Sequence, residues 1–201
     1  MIVLTIDQRD SRHSPDRVDG LVARLNADYP TVRAFERTAG DELQGVLDDG
    51  RAAVELLLDV ALDEEWSVGL GVGSVKEPLP EQTRAGAGEA FEAARDAVER
   101  AKHAPASVAV TGAGPEAQRL EAELQLVAEV NRRRTASSQE AGTLVDRGLS
   151  QRQAAVSLGI TQQAVSSRLA SGLWSQCRKL ADQAGQALDR YAAEFDGRKN
   201  P

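Results

Sequence analysis

The sequence predicts an α+β chain in which a ferredoxin-like N-terminal domain, residues 1–112, precedes an all-α domain, residues 115–201, with a helix-turn-helix at 150–171. Three observations predict this. Short apolar runs and longer segments of helical period follow one another in the order βαββαβ plus a short closing strand, which places helices against a mostly antiparallel sheet. Gly112-Ala113-Gly114-Pro115 then punctuates the chain, and the segments beyond it read as helices. Within them, residues 149–169 divide into two short helices around a glycine.

The first domain opens with an apolar run over residues 2–7 that ends in Asp7, the pattern of a buried central strand. Over residues 15–29 a helix aligns Val18, Leu21, Val22 and Leu25 on one face, and Pro30 ends it. Residues 32–37 and 42–47 are strands joined through Thr38-Ala39-Gly40-Asp41, where the glycine–acid pair signals a hairpin. A helix over 50–62 carries Ala53, Val54, Leu57, Leu58 and Ala61. Residues 66–73 alternate in period two, with Gly69, Gly71 and Gly73 on one face, where they permit close packing of a following helix. That helix spans about 85–102, and 107–111 form the closing strand.

In the second domain Pro115 suits a first helical turn, and Leu120, Leu124, Val127 and Val130 give that helix an apolar stripe for the first domain or for a second copy. Arg132, Arg133 and Arg134 end it, where they complement the helix dipole or grip phosphates. A helix from Ser137 or Ser138 to Val145 follows, closed by Gly148, and residues 173–195 form the last helix before a frayed tail from Asp196 to Pro201.

Between these lies the stretch with the sharpest signal. Ser150 and Gln153 have capping-box spacing, Gly159 stands where the first short helix must stop, and Thr161 can cap the second. Ala155, Leu158, Ile160, Val165 and Leu169 point inward. Gln162, Gln163, Ser166, Ser167 and Arg168 are left outward, short polar groups able to reach base edges or phosphates. The run L-S-Q-R-x-A-x-x-L-G-I-x-Q-Q-A-V-S-x-R-L resembles the helix-turn-helix of bacterial transcription regulators and of sigma-factor region 4. The resemblance implies double-stranded DNA as partner, with Arg152 on phosphates. A helical hairpin used for dimerisation is the bland alternative.

Charge is divided accordingly. The net charge of −7 argues against nucleic acid until the chain is split: residues 131–201 hold 11 Lys+Arg and 6 Asp+Glu, a net +5, while the rest carries −12. One cysteine, Cys177, excludes an internal disulfide, and no Cys/His cluster has zinc spacing. No apolar run reaches the length of a membrane span and the N-terminus lacks a signal pattern, so a cytoplasmic protein without membrane partner is expected.

If the first strand and the hairpin pair centrally, Asp7 and Asp41 converge at one sheet end, where paired oxygen ligands suit Mg²⁺ on a nucleotide's phosphates. Asp7, the stretch from Arg37 to Leu43, Val68 to Gly73 and Gly88 to Arg95 resemble the palm-like catalytic domain of class III nucleotide cyclases and diguanylate cyclases. Together with the helix-turn-helix, the chain resembles the SatD-like family of bacterial proteins. The resemblance implies a nucleotide ligand at Arg37, Gly40, Asp41 and Arg95, with Asp7 and Asp41 on the metal. The departures favour binding over turnover: Ala39 and Leu43 replace a signature glycine and phenylalanine, and the asparagine before the Ala-Ala-Arg run is absent. The expectation is a homodimeric DNA-binding regulator whose front domain binds a nucleotide or mediates assembly. An active cyclase or nucleotidyl transferase and a protein–protein adaptor are the rivals.

Overall fold

The computed structural model describes residues 1–195; the tail expected to fray lies outside them. Strand β1 (Ile2–Gln8) is central, hydrogen-bonded to a strand along each edge and covered on both faces. Ile2, Leu4 and Ile6 enter the large core, while Val3 joins a smaller one on the opposite face. Helix α1 (Val18–Asp28), strands β2 (Arg33–Arg37) and β3 (Glu42–Leu47), helix α2 (Gly50–Val60) and strand β4 (Trp66–Val72) follow. Helix α3 (Glu89–Ala101) then leads to strand β5 (Val108–Thr111). The five strands form one mixed sheet in the order β2-β3-β1-β4-β5. Its first four members pair antiparallel and β5 runs parallel to β4, the pairing that a crossover helix such as α3 permits.

Helices α1 and α2 cover one face of the sheet. Helix α3 covers the other, and the reason is legible in β4. A Cβ on Gly69 would meet the backbone of Val98, and one on Gly71 the backbone of Ala94 and Ala90. Only hydrogen lets the α3 backbone lie that close.

Helix α4 (Pro115–Arg132), α5 (Ala136–Asp146), α6 (Gln151–Leu158), α7 (Gln162–Ser171) and α8 (Trp174–Ala193) complete the described residues. The core does not respect a boundary at 112/115. Leu120, Leu124 and Val127 of α4, with Cys177, Ala184, Leu188 and Tyr191 of α8, are buried in the same cluster as the sheet and α2. Gly50 and Gly185 allow α2 and α8 to cross closely, and the Gly50 N–H donates to Asp189 Oδ1 at 2.6 Å. The body of the molecule is therefore the sheet with α1–α4 and α8. Only α5–α7 form a separate head, with its own core of Ala141, Ala154, Ala155, Val165 and Leu169 under Trp174.

Both sheet edges are sealed by side chains. Along β5, the Val110 N–H donates to Glu121 Oε2 (2.7 Å) and Gln125 Nε2 donates to the Val108 carbonyl (2.9 Å). Along β2, Asn26 accepts from the Phe35 N–H (2.7 Å) and donates to its carbonyl (2.9 Å). Open edges invite pairing with another chain, and these are closed.

Candidate nucleic-acid interface

The head is assembled by local chemistry. Thr135 caps α5 by accepting from the Ser138 N–H (3.2 Å), a role that sequence reading gave to Ser137 or Ser138. Ser150 and Gln153 form the reciprocal capping box on α6, Ser150 N–H to Gln153 Oε1 at 2.9 Å and Gln153 N–H to Ser150 Oγ at 3.3 Å. Gly159 ends α6 with φ of 65°, a left-handed conformation costly to other residues, and the Ile160 N–H returns to the Ala155 carbonyl. Thr161 Oγ1 then accepts from the Ala164 N–H at 3.1 Å and starts α7. Each such cap contributes about 1 kcal/mol, so three of them help fix three short helices around a small core.

Val165 and Leu169 bury one side of α7. Gln162, Gln163, Ser166 and Ser167 are exposed on the other, and their side chains make no hydrogen bond or ion pair among the described residues. Ala170 extends this stripe, since positions 163, 166, 167 and 170 share one helical face. Arg152 on α6 and Arg147 beyond α5 are exposed cations without a side-chain partner among the described residues.

Three of the expected contact residues stand elsewhere. Arg168 lies on the flank of α7 beside α5, half-buried, with Nη1 3.9 Å from Glu140 Oε2. Arg132 is turned into the body, donating to the Ala61 carbonyl, and burial pushes its pKa down. Arg134 donates through Nε to the Gly172 carbonyl (2.8 Å) and lies 4.1 Å over the Trp174 ring; burial lowers its pKa too. Arg134 ties the end of the head to the body, Arg132 ties α4 to the end of α2 within the body, and neither is free for phosphates. Arg133 alone of the triplet is open, with Glu129 at 2.9 Å. Arg147 was missed by sequence reasoning; its signal was a basic residue just after a helix that supports the turn.

The second cluster lies at the β1 end of the sheet. Asp7 and Asp41 do share a cleft of about 310 Å³, with Arg9, Asp10, Ser11, Arg12, His13 and Lys102. The Gln8 N–H to Asp41 carbonyl bond (3.1 Å) ties the hairpin to the strand end. Burial raises the Asp7 carboxyl above the ordinary range, Lys102 pulls it back, and the Asp41 charge raises it further. Lys102 Nζ stands 3.5 Å from Asp7 Oδ2 and 2.7 Å from Glu99 Oε1. Burial opposes its charge, but the Glu99 hydrogen bond and the Asp7 charge hold its pKa above the usual value.

The other expected nucleotide contacts are not in this cleft. Arg37 is held by Asp16 (2.6 Å), Asp19 (3.4 Å) and the Gly40 carbonyl (2.6 Å), away from a ligand. Gly40, with φ of 59°, serves the turn, and Arg95 is exposed on α3. As arranged, the donors do not fit Mg²⁺. Asp7 is already faced by an ammonium, Asp41 Oδ2 accepts from the Ser11 hydroxyl, and among the described residues no three His, Cys, Asp or Glu side chains converge on one point. Lys102 was missed because a lysine just past a helix end reads as a dipole complement.

Comparison of the chain with family models, with curated proteins and with solved structures gave no match. Among the described residues no helix is long and apolar enough to cross a membrane.

Proposed function

We propose that the chain is a sequence-specific DNA-binding regulator that acts as a homodimer, its α5–α7 head seating α7 in the major groove. The observation that carries this reading is the unbonded polar stripe Gln162, Gln163, Ser166 and Ser167 on a helix whose other side is buried. A helix presented this way by a supporting pair can enter a major groove with its N-terminal residues on base edges. Arg147 and Arg152, exposed cations of the head without a side-chain partner among the described residues, serve in this reading as phosphate contacts. The SatD-like resemblance of the sequence points the same way.

The front domain, in this reading, is a ferredoxin-like, cyclase-palm-like unit. The split arrangement in which β3 lies between β1 and β2, with β4 on the far side of β1, supports it. In this reading its cleft takes the phosphates of a nucleotide on Arg12, an exposed lining cation without a side-chain partner among the described residues, and does not turn it over. The Asp7–Lys102 pair argues against catalysis, because a nucleotidyl-transfer centre needs that carboxylate for metal.

The test is recovery of genomic duplex fragments on the full chain, followed by sequencing. Wild type is expected to enrich discrete fragments, and the Gln163→Glu/Ser166→Glu double variant to recover none above background, since two carboxylates would face phosphates. Equal recovery by both proteins would remove α7 from the interface. Incubation with nucleoside triphosphates and Mg²⁺ is expected to release no pyrophosphate; release abolished by Asp7→Ala would establish the enzyme instead.

A further inference from the structure

The outward stripe of α7 differs from the sequence expectation in one consequential way: it contains no cation. Arg168 is directed to the flank, half-buried near Glu140. What remains is Gln162 and Gln163 at the N-terminal turn, then Ser166, Ser167 and Ala170, all exposed. Each residue type has a distinct capacity at a base edge. A glutamine amide donates and accepts at once, which matches N7 and N6 of adenine; guanine, with two acceptors, calls for the paired donors of arginine. An alanine methyl packs on the thymine methyl, and serine hydroxyls accept or donate to either pair.

We infer that this head selects A·T-rich half-sites, with Gln163 as the residue that determines specificity at an adenine and Ala170 meeting thymine. The inference rests on the duplex-binding reading above. It follows from which side chains the packing of α7 leaves outward, and from the absence among them of the residue type that reads guanine. Gln163 stands at the N-terminal end of the stripe, three residues before Ser166 and seven before Ala170, the end of such a helix that meets base edges, so its amide faces the groove floor when the stripe does. Arg147 and Arg152 contribute affinity that is the same for every sequence, so the base preference comes from the stripe.

The experiment is repeated selection of the full chain on a duplex library with a random core, with sequencing of what is retained. The expected core is rich in adenine and thymine. With Gln163→Ala, preference at one adenine position falls roughly ten- to a hundredfold, and with Gln163→Arg that position turns to guanine. Both substitutions are on an exposed face, and thermal melting checks that each variant stays folded. A guanine–cytosine core for wild type overturns the inference while leaving duplex binding in place. If that guanine preference vanishes in Arg168→Ala, the arginine has swung out and the assignment to Gln163 is wrong. An unchanged core in Gln163→Ala likewise overturns it. Retention of no duplex at all removes the reading beneath the inference, and the inference with it.

Discussion

At the residue scale, arginines that look alike in the sequence divide into two kinds. Arg134 bonds the Gly172 carbonyl and stacks on Trp174, so it joins the start of α8 to the end of α4. Arg134→Ala removes a charged hydrogen bond and a cation–π contact, offset in part by the relief of a half-buried charge, and should cost roughly 1–3 kcal/mol of stability. Arg152→Ala should change stability by less than about 0.5 kcal/mol but lower the salt dependence of duplex binding by about one counterion. Urea unfolding and a salt series separate the two. Asp7 gives a prediction of opposite sign. Its folded-state pKa is raised, chiefly by burial, so the folded chain holds that proton more tightly than the unfolded one. Stability then falls as pH rises from the ordinary carboxylate pKa through the folded value, and the loss persists at neutral pH. Asp7→Asn should therefore melt higher than wild type at pH 7, with the difference shrinking as the pH approaches 4. A lower melting point for Asp7→Asn at pH 7 would show that the Lys102 pair outweighs burial.

At the element scale, the order of strands and helices was legible because each segment's hydrophobic period matched its fate. The strand expected at 42–47 is β3 (Glu42–Leu47), and β4 shows its glycine face against α3 as its alternation implied. The capping box and the left-handed Gly159 were legible for the same reason, being local chemistry within a few residues. What was not legible is the destination of long-range side chains. The apolar stripe of α4 suits either this body or a second copy, and period alone does not choose; Leu120 and Leu124 choose the body. In the same way nothing local to Arg132 or Lys102 announces the Ala61 carbonyl or the Asp7 carboxylate. Two tests belong here. Gly71→Ala pushes a methyl against the α3 backbone and should destabilise by about 1–3 kcal/mol or more. Glu121→Ala with Gln125→Ala opens the β5 edge, leaves the Val110 N–H unmet, and should raise light scattering on storage while wild type stays clear.

At the scale of the whole molecule, α5–α7 are carried on a body whose core takes in both flanking helices, α4 and α8. The head is held by Arg134, by Trp174 Nε1–H on Asp146 (2.9 Å), and by Arg178 on that same carboxylate. A head fixed in this way presents one surface at one angle. Among the described residues its free cations are few, Arg147 and Arg152, so one head should release about two counterions and two heads about four. Since both sheet edges are sealed, a dimer that joins two heads must use helical surfaces. The slope of log affinity against log salt should accordingly lie near −4 for the dimer on a full site and near −2 for a single half-site. The central claim, that the outward face of α7 meets duplex DNA, is tested most directly by following backbone amide resonances of the full chain while a retained duplex is added. The account predicts the largest shifts over Gln162 to Ala170 and at Arg152, with the sheet unmoved. Shifts confined to the body, with α7 silent at saturating duplex, would contradict it.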